Sequence, residues 1–443
     1  MTTAAQDRHR VVIVGGGAGG LELATRLGRR LGRRGLADVF LVDTKLTHVW
    51  KPLLHEVAAG TLNSFQDELN YMAVAHWNAF HFRLGTLEAV DRAARTITIA
   101  PSIDEQGQEF LPRRTLPYDT LVLAIGSVTN DYGVEGVAEH CRFLDSRRQA
   151  DRFHQIILRA VFNANARREP LRSGQLHVAI AGAGATGVEL AAELHGSLHG
   201  MREFGLDFVD PERDIRIHLV EGADRILPGL PERIARATHR ELERIGVVVH
   251  TGDRIAAATA QGLRTHGGRL IDAEIKVWAA GIKAPDVLGR IAGLELNRTN
   301  QVVVNAYLQS TRDPDIFAIG DCAACVREGT ALVPPRAQAA HQQAAVLARN
   351  IERRLRGAAL EPFAYRDYGS LINLSHHTAV GNLMGNLLGK APGSLFIEGW
   401  FARMAYLSLY KMHQVAVLGP VRTVLETLAN LLTLRSRPRL KLH

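Results

Sequence analysis

Two stretches, VVIVGGGAGGLELA at Val11–Ala24 and VAIAGAGATGVELA at Val178–Ala191, are near copies of one another. Aligned, they lay Gly15, Gly17 and Gly20 onto Gly182, Gly184 and Gly187, and Glu22 onto Glu189. Each opens with four apolar residues, as a parallel strand buried on both faces does, then breaks into glycines and resumes with helix-forming residues. The pattern is strand, turn, helix. In G-x-G-x-x-G the first glycine permits the tight turn, the second lets a pyrophosphate approach the backbone, and the third lets the helix pack closely on the strand. The free N–H groups and the dipole at the helix N-terminus then attract phosphate.

Working outward, the resemblance between the copies continues. VFLVD ends a second apolar strand at Asp43, and IHLVE ends one at Glu221. A carboxylate there accepts hydrogen bonds from an adenosine ribose and repels a 2′-phosphate unless an arginine compensates. That favours NADH over NADPH, with Arg225 close enough in sequence to keep the choice open. YDTLVLAIGS (Tyr118–Ser127) pairs in the same way with AEIKVWAAGI (Ala273–Ile282), each a strand ending in Ala-x-Gly or Ala-Gly. Two unrelated glycine turns would have to match three times by coincidence. The reading is an α/β protein with two Rossmann-like domains that hold two dinucleotides.

The composition fits that reading. A chain of 443 residues, 46% hydrophobic, suggests two or three folded units. Three cysteines, Cys141, Cys322 and Cys325, are too few for a disulfide framework and point to a reducing compartment. The first apolar run stops at glycines, so it reads as a buried strand and not as a signal peptide. No run of about 18 apolar residues occurs, so any membrane contact is expected to be peripheral. The net charge of +8 suits an anionic surface, and with no zinc-ligand spacing or RNP-type motif that surface reads as lipid and not nucleic acid.

This arrangement resembles the flavoproteins with two dinucleotide-binding domains, in which the N-terminal copy holds FAD, an inserted copy holds NAD(P)H, and hydride passes from nicotinamide to flavin. TRDPDIFAIGDCAA (Thr311–Ala324) is similar to that group's late FAD motif. A closer resemblance is carried by VPPRAQAAHQQA (Val333–Ala344), similar to the AQxAxQ motif of type II NADH:quinone oxidoreductases, the single-subunit NADH dehydrogenases that do not pump protons. WKPLLHEVAAGTL (Trp50–Leu62), AGAGATGVELAAEL (Ala181–Leu194), FIEGWFARMAYLSLYKMHQ (Phe396–Gln414) and the closing RPRLKLH extend it over essentially the whole chain.

The resemblance implies an FAD domain at 1–170 and 290–365, an NADH domain at 171–289, and a C-terminal amphipathic helical membrane-binding region at 366–443. It assigns FAD to Gly15, Gly16, Gly17, Ala18, Gly19, Gly20, Asp43, Lys51, Gly126, Asp321 and Ala337. NADH falls to Gly182, Gly184, Ala185, Thr186, Gly187, Glu189, Glu221, Ala280 and Gly281. Quinone falls to Gln338, Gln342, Tyr406 and Lys411. The expected catalytic residues are Glu189, near the nicotinamide, Gln338 at the mouth of the quinone site, Gln342 one turn beyond it, and Lys51 steadying charge on reduced flavin. For three of them a plainer reading stands: Glu22 warns that the Glu189 position simply suits the fold, Gln338 is a helix-start residue bonding backbone, and Lys51 is a surface lysine. His341 reads as a satisfied polar residue and Glu193 as a neighbour of Glu189. No metal site is expected, the histidines of SHH (375–377) having no ligand set around them.

A quinone tail stays in the bilayer, so the protein must reach the surface. From Pro420 onward Val421, Val424, Leu425, Leu428, Leu431 and Leu432 recur at helical spacing. From Glu398 to the end there are seven Lys or Arg against two Asp or Glu. That combination suits an interfacial helix on anionic lipid at the cytoplasmic face of a bacterial inner membrane, and equally a helix packed on the core or in a homodimer. Two rival functions remain: a soluble NADH-dependent disulfide or ferredoxin reductase using a Cys322–Cys325 pair, and a flavoprotein whose nucleotide state regulates a partner.

Overall fold

The repeated stretches build two four-stranded parallel arrays of the same strand order, the first of them part of a nine-stranded mixed sheet. The structure, a computed structural model, describes residues 8–62, 68–104, 106–329, 331–374, 379–384, 394–398 and 400–433, with some side chains in the later helices and strands left undescribed. In the first unit β1 (His9–Val14) leads through α1 (Ala18–Leu27) to β2 (Ala37–Asp43). After two short helices, α2 (Leu54–Ala59) and α3 (Tyr71–Asn78), come β3 (His81–Leu84) and β4 (Thr120–Leu123). β3, β2, β1 and β4 lie side by side, all parallel, with Val12 between Phe40 and Leu121.

In the second unit β5 (His177–Ala181), α4 (Ala185–Gly200), β6 (Arg216–Val220), β7 (Val248–His250) and β8 (Ile275–Trp278) repeat the scheme. The order is β7, β6, β5, β8, again parallel, with Ile180 between Leu219 and Val277. The likeness runs further than the sequence revealed. Each unit inserts a three-stranded antiparallel sheet before its last strand, at Leu87–Pro117 in the first and Ile255–Asp272 in the second. Strand β9 (Asp313–Ala318) then returns to pair with β4, so the first sheet is completed by residues from beyond the second.

Why these strands form is plain from their burial. Val11, Val12 and Ile13, like Ala179 and Ile180, are wholly buried, as strands covered by helices on both faces require. Each large side chain so buried contributes roughly 1.5–3 kcal/mol of transfer free energy. Helix α5 (Ala337–Leu355) packs along α1, where Gly19 leaves room for the Ala340 side chain.

The C-terminal region carries the expected helices and, ahead of them, a sheet the sequence did not announce. It opens with an antiparallel sheet of β10 (Gly369–Asn373), β11 (Ala379–Met384) and β12 (Ser394–Glu398), strands of five or six residues whose sequences do not alternate cleanly between apolar and polar. Then come α6 (Trp400–Leu418) and α7 (Pro420–Thr433), the latter starting at Pro420 as its spacing suggests. Among the described residues no helix is long and apolar enough to cross a bilayer. SHH at 375–377 and the closing RPRLKLH lie outside the described residues.

Candidate active site

The two glycine turns are nearly superimposable in their physics. Gly15 and Gly182 have φ of +102° and +101°, a region open to glycine and strained for other residues. A Cβ on Gly20 would sit 1.8 Å from the Gly15 carbonyl oxygen, and one on Gly187 would sit 1.9 Å from that of Gly182. Neither helix could pack on its strand with a larger residue there. In front of Gly17 and Gly184, by contrast, a Cβ would meet nothing within 4 Å. These are the helix N-caps, so each unit presents an open, N–H-lined approach at the N-terminus of α1 or α4, beside Ala18 and Gly19 or Ala185 and Thr186. The geometry fits a pyrophosphate in both.

The strand-end carboxylates are matched as well. Asp43 accepts from Gly16 N–H at 2.6 Å and from Lys45 N–H at 3.0 Å, and Glu221 accepts from Ala183 N–H at 2.8 Å and Ala223 N–H at 3.0 Å. Each is thereby held beside its turn with oxygen lone pairs to spare for ribose hydroxyls. Burial pushes the Asp43 carboxyl up from its ordinary value, against the pull of those backbone donors. Arg225, the residue that kept NADPH open, donates instead to the carbonyls of Pro228 and Leu230, both at 3.0 Å.

Around the first turn the remaining expected FAD residues gather. Lys51 Nζ donates to Ser127 O at 2.7 Å, next to Gly126 at the end of β4, and Ser127 Oγ donates to Asp321 at 2.8 Å. Asp321 follows β9 in a short 3-10 turn. Ala337 is the first residue of α5. In the second unit Ala280 and Gly281 follow β8.

Glu22 and Glu189, one turn into α1 and α4, are both buried and chemically unlike. Glu22 pairs with Arg26 at 2.7 Å and accepts from His341 at 2.6 Å, which satisfies His341 as the sequence suggests. Glu189 instead faces a cluster drawn from three elements. It accepts from the Asn373 backbone N–H on β10 at 3.1 Å, and lies 3.7 Å from His55 on the first turn of α2. The Asn373 side-chain amide reaches Glu56 on α2 and Glu193 on α4, both at 3.4 Å, and Thr61 Oγ1 donates to Glu193 at 3.2 Å. Burial first, then the charges of Glu56 and Glu193, push the Glu189 carboxyl up to about 8. Burial pushes His55 down to about 4, so it stays neutral. Sequence reasoning missed His55, Glu56 and Asn373, although His55 and Glu56 stood inside the quoted WKPLLHEVAAGTL.

The two glutamines are committed to backbone. Gln338 donates to Gly369 O at 3.0 Å and accepts from Tyr368 N–H at 3.2 Å, while Gln342 donates to Arg366 O at 2.8 Å and accepts from its N–H at 2.9 Å. Together they clamp the segment leading into β10 onto α5. Lys411 donates to Gln414 at 2.8 Å on the same helix. Tyr406 lies in α6, and its side chain is outside the described residues.

The cysteine pair does not have the form the rival reading needs. Cys322 ends the 3-10 turn and Cys325 lies three residues on in the strand Ala323–Glu328, not at a helix start. Both are buried, and burial pushes each thiol up to about 11, away from the reactive thiolate.

The profile of the pyridine nucleotide-disulphide oxidoreductase family matches residues 9–344. A type II NADH:quinone oxidoreductase of Haemophilus influenzae is 43% identical over 98% of this chain and 99% of its own. The type II NADH:quinone oxidoreductase NdhA of Mycobacterium tuberculosis is 28% identical over 93% of this chain and 85% of its own. Among solved structures, NDH2 from Plasmodium falciparum in complex with NADH shares the fold with a TM-score of 0.79 at 17% identity, covering 98% of this chain and 100% of that one. A duplicated nucleotide turn joined to near-full-length similarity on this scale places the chain in the pyridine nucleotide-disulphide oxidoreductase family, among the type II NADH:quinone oxidoreductases.

Proposed function

We infer that this chain oxidises NADH through FAD and reduces a quinone by two electrons, feeding a respiratory chain. The observation that carries the reading is the doubled turn, each copy with its own strand-end carboxylate held by the turn's backbone, in a chain 43% identical over 98% of its length to a type II NADH:quinone oxidoreductase. FAD, when bound, accepts two electrons from NADH and yields them to the quinone. We read the sheet membership as three units: FAD at 1–170 and 290–365, NADH at 171–289, and a C-terminal unit from 366.

The chain's residues supply position and proton control. The open N-terminus of α1 receives the FAD phosphates and Asp43 its ribose, while α4 and Glu221 do the same for NADH. Lys51, tied to Ser127 and through it to Asp321, is placed to steady negative charge at the flavin. Glu189, protonated at neutral pH, holds a proton where the FAD unit, the NADH unit and β10 meet. Gln338 and Gln342 shape the quinone pocket by fixing the Arg366–Gly369 wall, their amides being engaged there. We place the protein on the cytoplasmic face of a bacterial inner membrane, attached through α6 and α7, in a reaction that moves no protons across the bilayer.

Steady-state NADH oxidation by purified, FAD-loaded protein, with and without a short-chain quinone, tests the reading. Fast turnover that requires the quinone is expected. Reduction of the flavin by NADH with no reoxidation by quinone would leave the acceptor assignment without support.

A further inference from the structure

Two buried histidines from opposite ends of the chain share a hydrogen bond beside the first glycine turn. His48 Nδ1 lies 2.9 Å from the Gly16 carbonyl oxygen, which also accepts from the Tyr71 hydroxyl at 2.7 Å. His48 Nε2 lies 3.1 Å from Nε2 of His413 on α6. Both rings are at most 4% exposed.

The carbonyl fixes every proton in this chain of contacts. A carbonyl only accepts, so His48 Nδ1 carries the hydrogen. Burial keeps the His48 imidazole neutral, pushing it down to about 4, which leaves its Nε2 bare. His413, also held neutral by burial, must therefore donate from Nε2. The His413 ring in turn lies 4.3 Å from that of Trp50, and Arg29 fastens the end of α6 through the carbonyls of Ala416 and Val417.

The Gly16 carbonyl and the Gly17 N–H belong to one planar trans peptide and point opposite ways. With the oxygen held inward by His48 and Tyr71, the planar peptide turns the Gly17 N–H the other way, and Gly17 itself borders open space, a Cβ there meeting no atom within 4 Å. The second copy does the same job differently: its matching carbonyl, Ala183 O, accepts from the Leu227 backbone N–H at 2.8 Å, wholly within its own unit. In the first copy the donors are side chains, one of them backed by the C-terminal helix.

We propose that His413 is a positioning residue for FAD: through His48 it fixes the Gly16–Gly17 peptide and aims the Gly17 N–H at the cofactor's phosphates, so that FAD retention depends on α6 being seated. The proposal rests on the reading that the first turn holds FAD.

Deflavinated full-length protein titrated with FAD, followed by flavin fluorescence, tests it, with thermal midpoints of the apo and FAD-loaded forms measured alongside. His413→Phe keeps a ring against Trp50 and removes the donor. It should weaken FAD binding about tenfold and shrink the FAD-induced thermal shift, as loss of one buried hydrogen bond implies. His413→Gln, whose amide reaches the Nε2 position, should restore binding to within about twofold, and NADH affinity should not move. Should the phenylalanine variant fail to fold, His413→Asn, whose amide stops short of His48, gives the same comparison with His413→Gln. Unchanged FAD affinity in the donor-less variant, or equal weakening in His413→Gln, overturns the proposal. Gly17→Leu, which fills the approach, serves as the control: if it retains FAD, the cofactor does not sit at this turn and the underlying reading fails instead.

Discussion

Glu22 and Glu189 hold the same place in two copies of one device, and their neighbours give them opposite chemistry. Glu22 is ion-paired with Arg26, whereas Glu189 shares its pocket with Glu56 and Glu193 and is raised from 4.5 to about 8. The consequence for stability has a definite sign. Below about pH 4.5 both the folded and the unfolded chain hold this proton; between there and 8 only the folded chain does, so stability falls as pH rises through that window and levels off above it. Glu189→Gln should remove that slope, gaining on the wild type as pH rises by an amount of order a few kcal/mol. Thermal midpoints of the two proteins from pH 5 to 9 check this, and parallel curves would sink it. At Gln338 the contacts predict a different kind of loss. Because its amide holds the wall at Gly369, Gln338→Leu should slow quinone-dependent turnover while leaving flavin reduction by NADH in single turnover close to wild type. Equal slowing of both steps would remove Gln338 from the quinone side.

At the scale of elements, what could be read in the sequence is what a short period writes into it. The β1–α1 and β5–α4 turns were legible because each glycine answers a local requirement: a positive φ at Gly15, and a carbonyl under 2 Å from any Cβ at Gly20. The Glu189 cluster was not legible, because Glu56, Glu193 and Asn373 meet only when α2, α4 and β10 are packed together, and nothing in their spacing announces it. The same holds for His48 and His413, which lie 365 residues apart. The cysteines show the converse, a suggestive C-x-x-C spacing that the fold places in a buried turn and strand and not at a helix start. The glycine argument yields a contrast within one element. Gly187→Val drives a side chain into the Gly182 backbone and should destabilise the second unit by several kcal/mol. Gly184→Val, three residues earlier, meets open space and should leave the thermal midpoint nearly unchanged while raising the KM for NADH at least tenfold. If both variants melted alike, the open approach at Gly184 would not be a ligand path.

On the scale of the whole molecule, α7 is turned inside out for a helix in water. Val421, Val424, Leu425, Leu428 and Leu432 are between 52% and 84% exposed, while Thr423 is buried and bonds back to Gly419. The ordinary reading, an amphipathic helix with its apolar side on the core, is excluded by that orientation. The apolar stripe continues onto the first unit, where Trp77 and Met72 of α3 are exposed and Arg422 lies over the Trp77 ring at 3.7 Å. An apolar face of this extent, in a segment with seven basic residues against two acidic ones, fits the interface of an anionic bilayer. The two contributions differ in their response to salt. Attraction of the basic residues is screened beyond about 8–10 Å at physiological ionic strength, whereas burial of the stripe is not. Binding to phosphatidylglycerol-containing vesicles should therefore weaken as salt rises without vanishing. Replacing Val421, Leu425 and Leu428 together by serine should abolish it at every salt concentration, since each side chain loses roughly 1.5–3 kcal/mol of transfer free energy. NADH oxidation with a short-chain, water-soluble quinone should survive in that variant, because the stripe lies on the face opposite the buried contacts of α7. Vesicle sedimentation gives the first result and steady-state assay the second. Undiminished sedimentation of the serine variant, with a change in subunit number instead, would make the stripe a contact between two copies of the chain and move the membrane attachment elsewhere.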